Sequence, residues 1–157
     1  MPAERLTTHR VEKPWGRRHL WPGFADPEAG GEPVGEIWFQ SPGDETPELL
    51  VKYLFTSANL SVQVHPDDAQ ARAYGLPRGK DECWVILAAD PDSTIALGTH
   101  EPVDADTLRA AALDGTIEAL LDWKPVKAGD FIYAPARTIH AIGAGITLIE
   151  IQQNSDT

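Results

Sequence analysis

The sequence contains little cysteine, little positive charge and no long apolar run. Its one cysteine, Cys83, excludes an internal disulfide framework. The 13 Lys and Arg residues stand against 24 Asp and Glu, and the formal net charge of -11 repels nucleic acid and anionic membranes. The longest apolar run, 84–89, is far shorter than the roughly 18 residues of a membrane-spanning helix. Neither nucleic acid nor a membrane is therefore expected as a partner.

Two further absences concern location and domain number. The first ten residues contain no apolar core of a signal peptide, so we predict a cytoplasmic protein. No internal repeat or low-complexity linker divides the 157 residues, which is the length of one ordinary domain. We predict a single domain over 1–157, in which 1–35 form a wrapping arm rich in Pro, Gly and charge, and 36–157 form a barrel.

Seven short apolar or alternating segments predict a mostly β fold. Turn residues such as Pro, Gly, Asp and Ser separate them, and their spacing is typical of a β-sandwich or barrel. The predicted strands are 36–40, 49–56, 60–65, 83–89, 94–98, 130–134 and 146–152.

The stretch 104–121 has a different pattern and predicts a short helical insertion. Asp104 stands at a capping position and Gly115 is a stop signal. A second helix should begin near Thr116 and present Ile117 and Leu120 on one face. We therefore expect two short helices against the outside of the β fold.

Polar residues alternate along the strand predicted at 60–65. Successive side chains of a strand point to opposite faces, so Ser61, Gln63 and His65 should share one face. Val62 and Val64 should then face an apolar layer. The segment can accordingly be a strand and present three polar groups to one cavity.

A second set of polar residues flanks two other predicted strands. Glu82 precedes the strand at 83–89, with Lys80 two residues earlier, while Cys83 faces the other way and is interpreted as structural. His140 follows a turn after the strand at 130–134. Trp84, inside a predicted strand, is interpreted as a core residue.

These residues carry a family resemblance. Gly129, Pro135 and His140 form a G-x5-P-x4-H pattern that resembles the second metal-binding motif of the cupins. Q-x-H-P-D at 63–67, followed by K-x-E-C-W at 80–84, is similar to the class I mannose-6-phosphate isomerases in particular. Further matching stretches are KPWG at 13–16, GEIW at 35–38, DGTIEALL at 114–121, HAIGAG at 140–145 and IQQNSDT at 151–157.

The resemblance implies a fold, a metal and a substrate class. The implied fold is a single cupin-type, jelly-roll β-barrel with the helical insertion around 104–121, like the N-terminal catalytic cupin of that family. It implies one zinc ion per chain and a sugar phosphate as substrate. The implied zinc ligands are Gln63, His65, Glu82 and His140, and the implied substrate-facing residues are Trp15, Glu36, Ser61, Lys80 and Glu150.

The implied reaction interconverts mannose 6-phosphate and fructose 6-phosphate. Zinc would act as a Lewis acid that stabilises the enediolate formed when the C2 proton is removed. Lys80 or Glu150 would move that proton. The sequence does not choose between them, because either role requires a shifted pKa.

Arg137 departs from the cupin pattern, which usually has glycine at this position. A side chain is strained at a turn that requires positive φ. The charge of Arg137 also follows the Pro135 turn near His140, which makes it a candidate ligand for the substrate phosphate. The alternative interpretation is a solvated surface arginine.

The end of the sequence leads to two more expectations. Members of this family usually continue into a second barrel-like domain and carry a phosphate-facing arginine soon after the NSDT segment, so slow turnover is expected of a chain ending at Thr157. The alternative function is a metal-dependent cupin that binds a sugar or sugar phosphate without turnover. The strand at 146–152, close to the end, predicts an exposed edge that favours a homodimer.

Overall fold

The computed structural model describes residues 4–43, 46–155 and 157. Its strands are β1 (Thr7–Arg17), β2 (Val34–Gln40), β3 (Leu49–Phe55), β4 (Glu82–Ala89), β5 (Thr94–Thr99), β6 (Leu121–Pro125), β7 (Phe131–Ala134), β8 (His140–Ile142) and β9 (Ile146–Gln153). Its helices are α1 (Asp68–Ala73), α2 (Ala105–Asp114) and a 3-10 helix at Ile117–Leu120.

Within the described residues, the strands form two antiparallel sheets. The larger sheet has the order β1-β2-β3-β9-β4-β7, and the smaller has the order β6-β5-β8. The predicted fold class, mostly β and cupin-type with a helical insertion, is confirmed. Across the described part of the chain, the two sheets are separate ladders and do not close into one hydrogen-bonded barrel.

The main core lies between the two sheets. From the larger sheet, Trp84, Ile86 and Leu148 are at most 1% exposed. They pack in one cluster with Ile95 of β5 and Ile142 of β8. Each such aliphatic side chain contributes roughly 1.5–3 kcal/mol when it leaves water, so this cluster holds the sheets together. Trp84 is a core residue, as predicted.

The helical insertion forms where the sequence predicts it. The Asp104 side chain accepts a hydrogen bond from the Thr107 amide at 2.8 Å, and Gly115 ends α2 with a φ of 83°. The 3-10 helix follows, and Leu121, the first residue of β6, is fully buried in a cluster with Ala96 and Ala141 of the smaller sheet. No helix in the described ranges has the length and apolar character needed to cross a membrane.

The predicted wrapping arm is partly wrong, because it contains β1. This strand pairs with β2 at the edge of the larger sheet, and its register shifts on either side of Glu12. Pro14 is tolerated there, since an edge strand has amide groups that need no partner. The shifts interrupt side-chain alternation, which hides the strand in the sequence.

The prediction of a continuous strand at 60–65 is also wrong. The Leu60 amide donates to the Ile142 carbonyl at 2.9 Å, and Gln63 and His140 exchange two backbone hydrogen bonds of 2.9 and 2.8 Å. The three-residue interval from Leu60 to Gln63 thus lies opposite the two-residue interval from His140 to Ile142 in β8. The extra residue breaks the ladder and leaves one isolated bridge.

β9 has no free edge, which overturns the structural reason for the predicted dimer. It pairs with β3 on one side and with β4 on the other along most of its length. The chain inserts this late strand between two earlier ones, a placement that Greek-key connectivity allows and that local sequence does not reveal. The edges of the larger sheet are β1 and β7.

Candidate functional site

A cavity borders the main core, and most of the predicted site residues line it. Leu54, Leu60 and Ile142 form its apolar wall together with Ala141. The polar wall comes from the inner face of the larger sheet and from the segments at 61–63, 80 and 140. The polar lining residues are Glu36, Lys52, Ser61, Gln63, Lys80, Glu82, His140 and Glu150.

Two histidines and a glutamate converge at this wall. Glu82 places one carboxylate oxygen 3.5 Å from His65 Nε2 and the other 3.5 Å from His140 Nε2. The candidate ligand atoms of the three residues all lie within 4.8 Å of one another, and all three residues are buried. The arrangement presents two nitrogens and a carboxylate to one point, which is a donor set that zinc accepts.

Both histidines are held in the neutral form that a metal ligand needs. Burial lowers the pKa of His65 to about 3, with a further contribution from the nearby Lys80 charge. Burial likewise lowers the pKa of His140. The Nδ1 atom of His140 lies 2.9 Å from the Thr138 carbonyl, to which it donates as N–H, so its Nε2 lone pair faces Glu82.

Gln63 and Ser61 share one side of their segment, as predicted. The Gln63 amide nitrogen donates to Ser61 Oγ at 3.2 Å. The amide oxygen can then coordinate a cation through its lone pairs. Val62 packs against the small apolar cluster around Leu121, again as predicted. Val64, by contrast, is 59% exposed, because the ladder is already broken before this residue.

Lys80 stands directly beside the converging ligands. Its ammonium lies 3.1 Å from a Glu82 oxygen and 3.5 Å from His65 Nε2. Burial, followed by the negative charge of Glu150, raises the pKa of Glu82 to about 7, and the Lys80 charge opposes this rise. A cation whose side chain is 12% exposed is thus held where it can reach both the carboxylate and a molecule in the cavity.

A second cation, Lys52, escaped the sequence analysis. Its side chain is 10% exposed and its ammonium lies 3.3 Å from Glu150 and 3.7 Å from Glu36. It also lies 4.7 Å from the centre of the Trp38 ring, a cation–π contact. The available signal was its position between Leu50 and Leu54, which places a charge on the inward side of a predicted strand.

Glu150 is anchored by two partners on neighbouring strands. The Trp84 indole donates to one carboxylate oxygen at 3.0 Å, while Lys52 contacts the other. Register explains the contact, since Lys52 and Glu150 are direct neighbours across β3 and β9, and Trp84 is the neighbour of Glu150 on β4. Both oxygens are therefore engaged before any ligand arrives.

The fixed charges of the wall leave room for a cation. With Glu82 ionised, as a metal ligand is, three carboxylates, those of Glu36, Glu82 and Glu150, face two ammonium groups, those of Lys52 and Lys80, and the histidines are neutral. A divalent cation would reverse the local sign from negative to positive. The residues present thus fit a divalent metal both in ligand type and in charge.

Two predicted substrate residues lie elsewhere among the described residues. Trp15 packs against the main core, and its carbonyl accepts a hydrogen bond from the Ser57 amide at 2.8 Å. The Arg137 side chain is 68% exposed, with Asp67 as a partner at 3.7 Å. Neither side chain contributes to the cavity wall. Their substrate roles remain predictions.

The strain predicted at Arg137 has a direct thermodynamic test. This residue has a φ of 69°, in the region that favours glycine, and its amide donates to the His65 carbonyl at 2.7 Å. We expect Arg137→Gly to be more stable than Arg137→Ala by about 1 kcal/mol, because only alanine keeps the clashing Cβ. Both variants remove the exposed ion pair, so urea unfolding isolates the backbone effect. Equal stabilities would contradict the expected strain.

Comparison with known proteins shows which sequences resemble this chain. No protein-family model matches the chain. The chain is 48% identical over 109 residues to mannose-6-phosphate isomerase of Streptococcus mutans, covering 69% of this chain and 34% of that protein. It is 44% identical over 135 residues to mannose-6-phosphate isomerase ManA of Bacillus subtilis, covering 81% of this chain and 42% of that protein.

The fold agrees with a solved structure of the same kind. The crystal structure of mannose 6-phosphate isomerase from Bacillus subtilis matches 98% of this chain with a TM-score of 0.80 at 30% identity, and the match covers 59% of that protein. The chain thus spans between about one third and three fifths of the length of these relatives.

Proposed function

Because the chain is related in sequence and fold to the mannose-6-phosphate isomerases, we propose that its cavity is a zinc-dependent site that interconverts mannose 6-phosphate and fructose 6-phosphate. The observation that carries the proposal is the buried convergence of His65, Glu82 and His140 beside two lysines. A structural ion pair would not need two neutral imidazoles aimed at one carboxylate.

The proposed metal ligands are Gln63, His65, Glu82 and His140. Zinc bound there would polarise a sugar oxygen and stabilise the negative charge of an enediolate. Other residues of the cavity wall have separate proposed roles in substrate binding. Ser61 and Glu36 offer hydrogen-bonding groups for sugar hydroxyls, and the apolar wall of Leu54 and Leu60 limits water.

We propose that Lys80, and not Glu150, moves the proton between C1 and C2. Both carboxylate oxygens of Glu150 already accept from Trp84 or pair with Lys52. Among the described residues, the Lys80 ammonium contacts Glu82 and His65, both of them proposed as metal ligands. To accept the proton from the sugar, Lys80 would have to take part as the neutral amine, because only that form has a free lone pair. Glu150 then positions Lys52 at the wall.

Metal retention tests the proposed ligands without any assay of turnover. We expect the wild-type chain to keep about one zinc per chain after dialysis, and His65→Ala and His140→Ala to lose most of it, because each variant removes one of few protein ligands. His100→Ala is the matched control, since the His100 side chain is 59% exposed and lies outside the cavity. Elemental analysis gives the ratio. Equal zinc in all four proteins would overturn the ligand assignment.

The partial coverage of the relatives supports one alternative, a cupin that binds a sugar phosphate without turnover. Proton exchange separates the two functions. An isomerase incubated with mannose 6-phosphate in D2O should exchange the C2 proton, which NMR detects even when turnover is slow. A binding protein should perturb the sugar resonances without exchange. The cytoplasmic location stays a prediction of the sequence.

A further inference from the structure

The outer face of the larger sheet carries two uncharged rows that run across five strands. Inward positions of these strands hold the cavity, so the residues between them point outward. Register places one residue of each strand in each row. The first row is Phe39, Val51, Ile151, Cys83 and Tyr133, and the second is Ile37, Tyr53, Ile149, Val85 and Phe131.

Only one end of this face is covered by the described residues. Leu20 and Phe24 pack on the β2 end, where Ile37 is 1% exposed. Away from the β2 end the rows emerge into solvent, with exposed fractions of 36% for Ile151, 54% for Tyr133 and 64% for Phe131. Leu49 of β3, two residues before Val51 and therefore on the same face, is 57% exposed. We call this open part, over β3, β9, β4 and β7, the outer patch.

The size of the outer patch suits the centre of a protein interface. Aromatic side chains present roughly 150–250 Å² each, so the exposed parts of Phe131 and Tyr133 alone supply about 200 Å². With the aliphatic residues the patch reaches several hundred Å², more than an isolated surface residue explains. A stable interface buries about 800 Å² per partner, of which such a patch forms the apolar centre.

We propose that the outer patch binds the same patch of a second copy, so that two chains form a face-to-face dimer. Charge limits where a second copy can bind, because two chains of net charge -11 repel each other over most of their surfaces. The two rows contain no charged residue, so two copies can meet there without repulsion between the facing side chains. A strongly basic partner would instead bind an acidic surface, which this patch is not.

The distribution of side chains fits a two-fold axis. The exposed aromatic residues, Phe131 and Tyr133, lie at the β7 end, and the exposed aliphatic residues, Leu49 and Ile151, lie toward β3. A two-fold axis through the middle of the patch places the aromatic end of each copy over the aliphatic end of the other. Cys83, between Tyr133 and Ile151 in its row, would lie close to the axis.

Charge substitution within the patch tests the dimer in solution. Sedimentation equilibrium should give twice the chain mass of 17.1 kDa for the wild type, and stronger association at higher salt, because salt screens the repulsion between copies. Tyr133→Glu should weaken dimerisation by at least about 30-fold, because it replaces an aromatic contact with a charge that would face the aliphatic end of the other copy. Tyr74→Glu is the matched control, since Tyr74 is 83% exposed outside the patch.

The single cysteine allows a second and independent test. A short bis-maleimide should link Cys83 of one copy to Cys83 of the other and give a covalent dimer, and Tyr133→Glu should suppress the product. A monomeric wild type at micromolar concentration would overturn the proposal. So would a dimer that Tyr133→Glu leaves intact. None of these results depends on metal binding or turnover.

Discussion

Replacing Lys52 by methionine is expected to lower the free energy of unfolding by about 3–5 kcal/mol. Methionine keeps the apolar stem and removes the charge. Lys52 is 8% exposed and pairs with Glu150, which is 5% exposed, and with Glu36. Its loss leaves two carboxylates without their common partner at a position shielded from water, where an uncompensated charge is costly. Urea unfolding measures the change.

The matched control is a lysine in an ordinary surface pair. Lys124 lies 2.9 Å from Asp122 and its side chain is 66% exposed, so Lys124→Met should cost less than about 1 kcal/mol. The double variant Lys52→Met with Glu150→Gln should recover part of the loss, because it removes one stranded charge. A cost for Lys52→Met no greater than that of Lys124→Met would show that Lys52 does not hold the two carboxylates.

The second large effect concerns turnover. Lys80→Met should lower kcat/KM for mannose 6-phosphate by about 100- to 10,000-fold, the range that a proton-transfer group contributes. The zinc content should not fall, because Lys80 is not a proposed ligand and its ammonium lies 3.1 Å from a proposed one, Glu82. Kinetics and elemental analysis on the same preparation separate the two effects.

Glu150→Gln is the variant that discriminates between the two candidate proton carriers. Glutamine keeps the shape and can still accept from the Trp84 indole, while it removes the ion pair with Lys52. If Glu150 only positions Lys52, this variant should lose less kcat/KM than Lys80→Met. A greater loss in Glu150→Gln would reverse the proposed roles of Lys80 and Glu150.

The converging residues could be named from the sequence because short contiguous motifs carry the family resemblance. Gln63 and His65 lie in one such motif and Glu82 in another, at the start of a strand with a clear apolar pattern. Lys52 shows the opposite case. Its partners are set by pairing between β2, β3 and β9, and no local pattern encodes which strands become neighbours. Only the inward position of a charged residue signalled Lys52, whereas the family resemblance named Glu150.

The observed secondary structure differs from the predicted one where side chains do not alternate regularly between the two faces of a strand. β1 has a shifted register and contains Pro14, and its strand character comes from pairing with β2. β8, only three residues long, is too short to show a period. The order of strands in the larger sheet was equally beyond local prediction, and this order is what buries β9 and leaves β7 at the edge.

The most direct test of the proposed function is metal-dependent conversion of mannose 6-phosphate to fructose 6-phosphate by this chain. The zinc-loaded protein should form fructose 6-phosphate in a coupled assay, lose that activity after chelation and regain it when zinc is returned, whereas His140→Ala should stay inactive throughout. No conversion by the zinc-loaded protein, or conversion that survives both chelation and His140→Ala, would contradict a zinc-dependent isomerase site in this cavity.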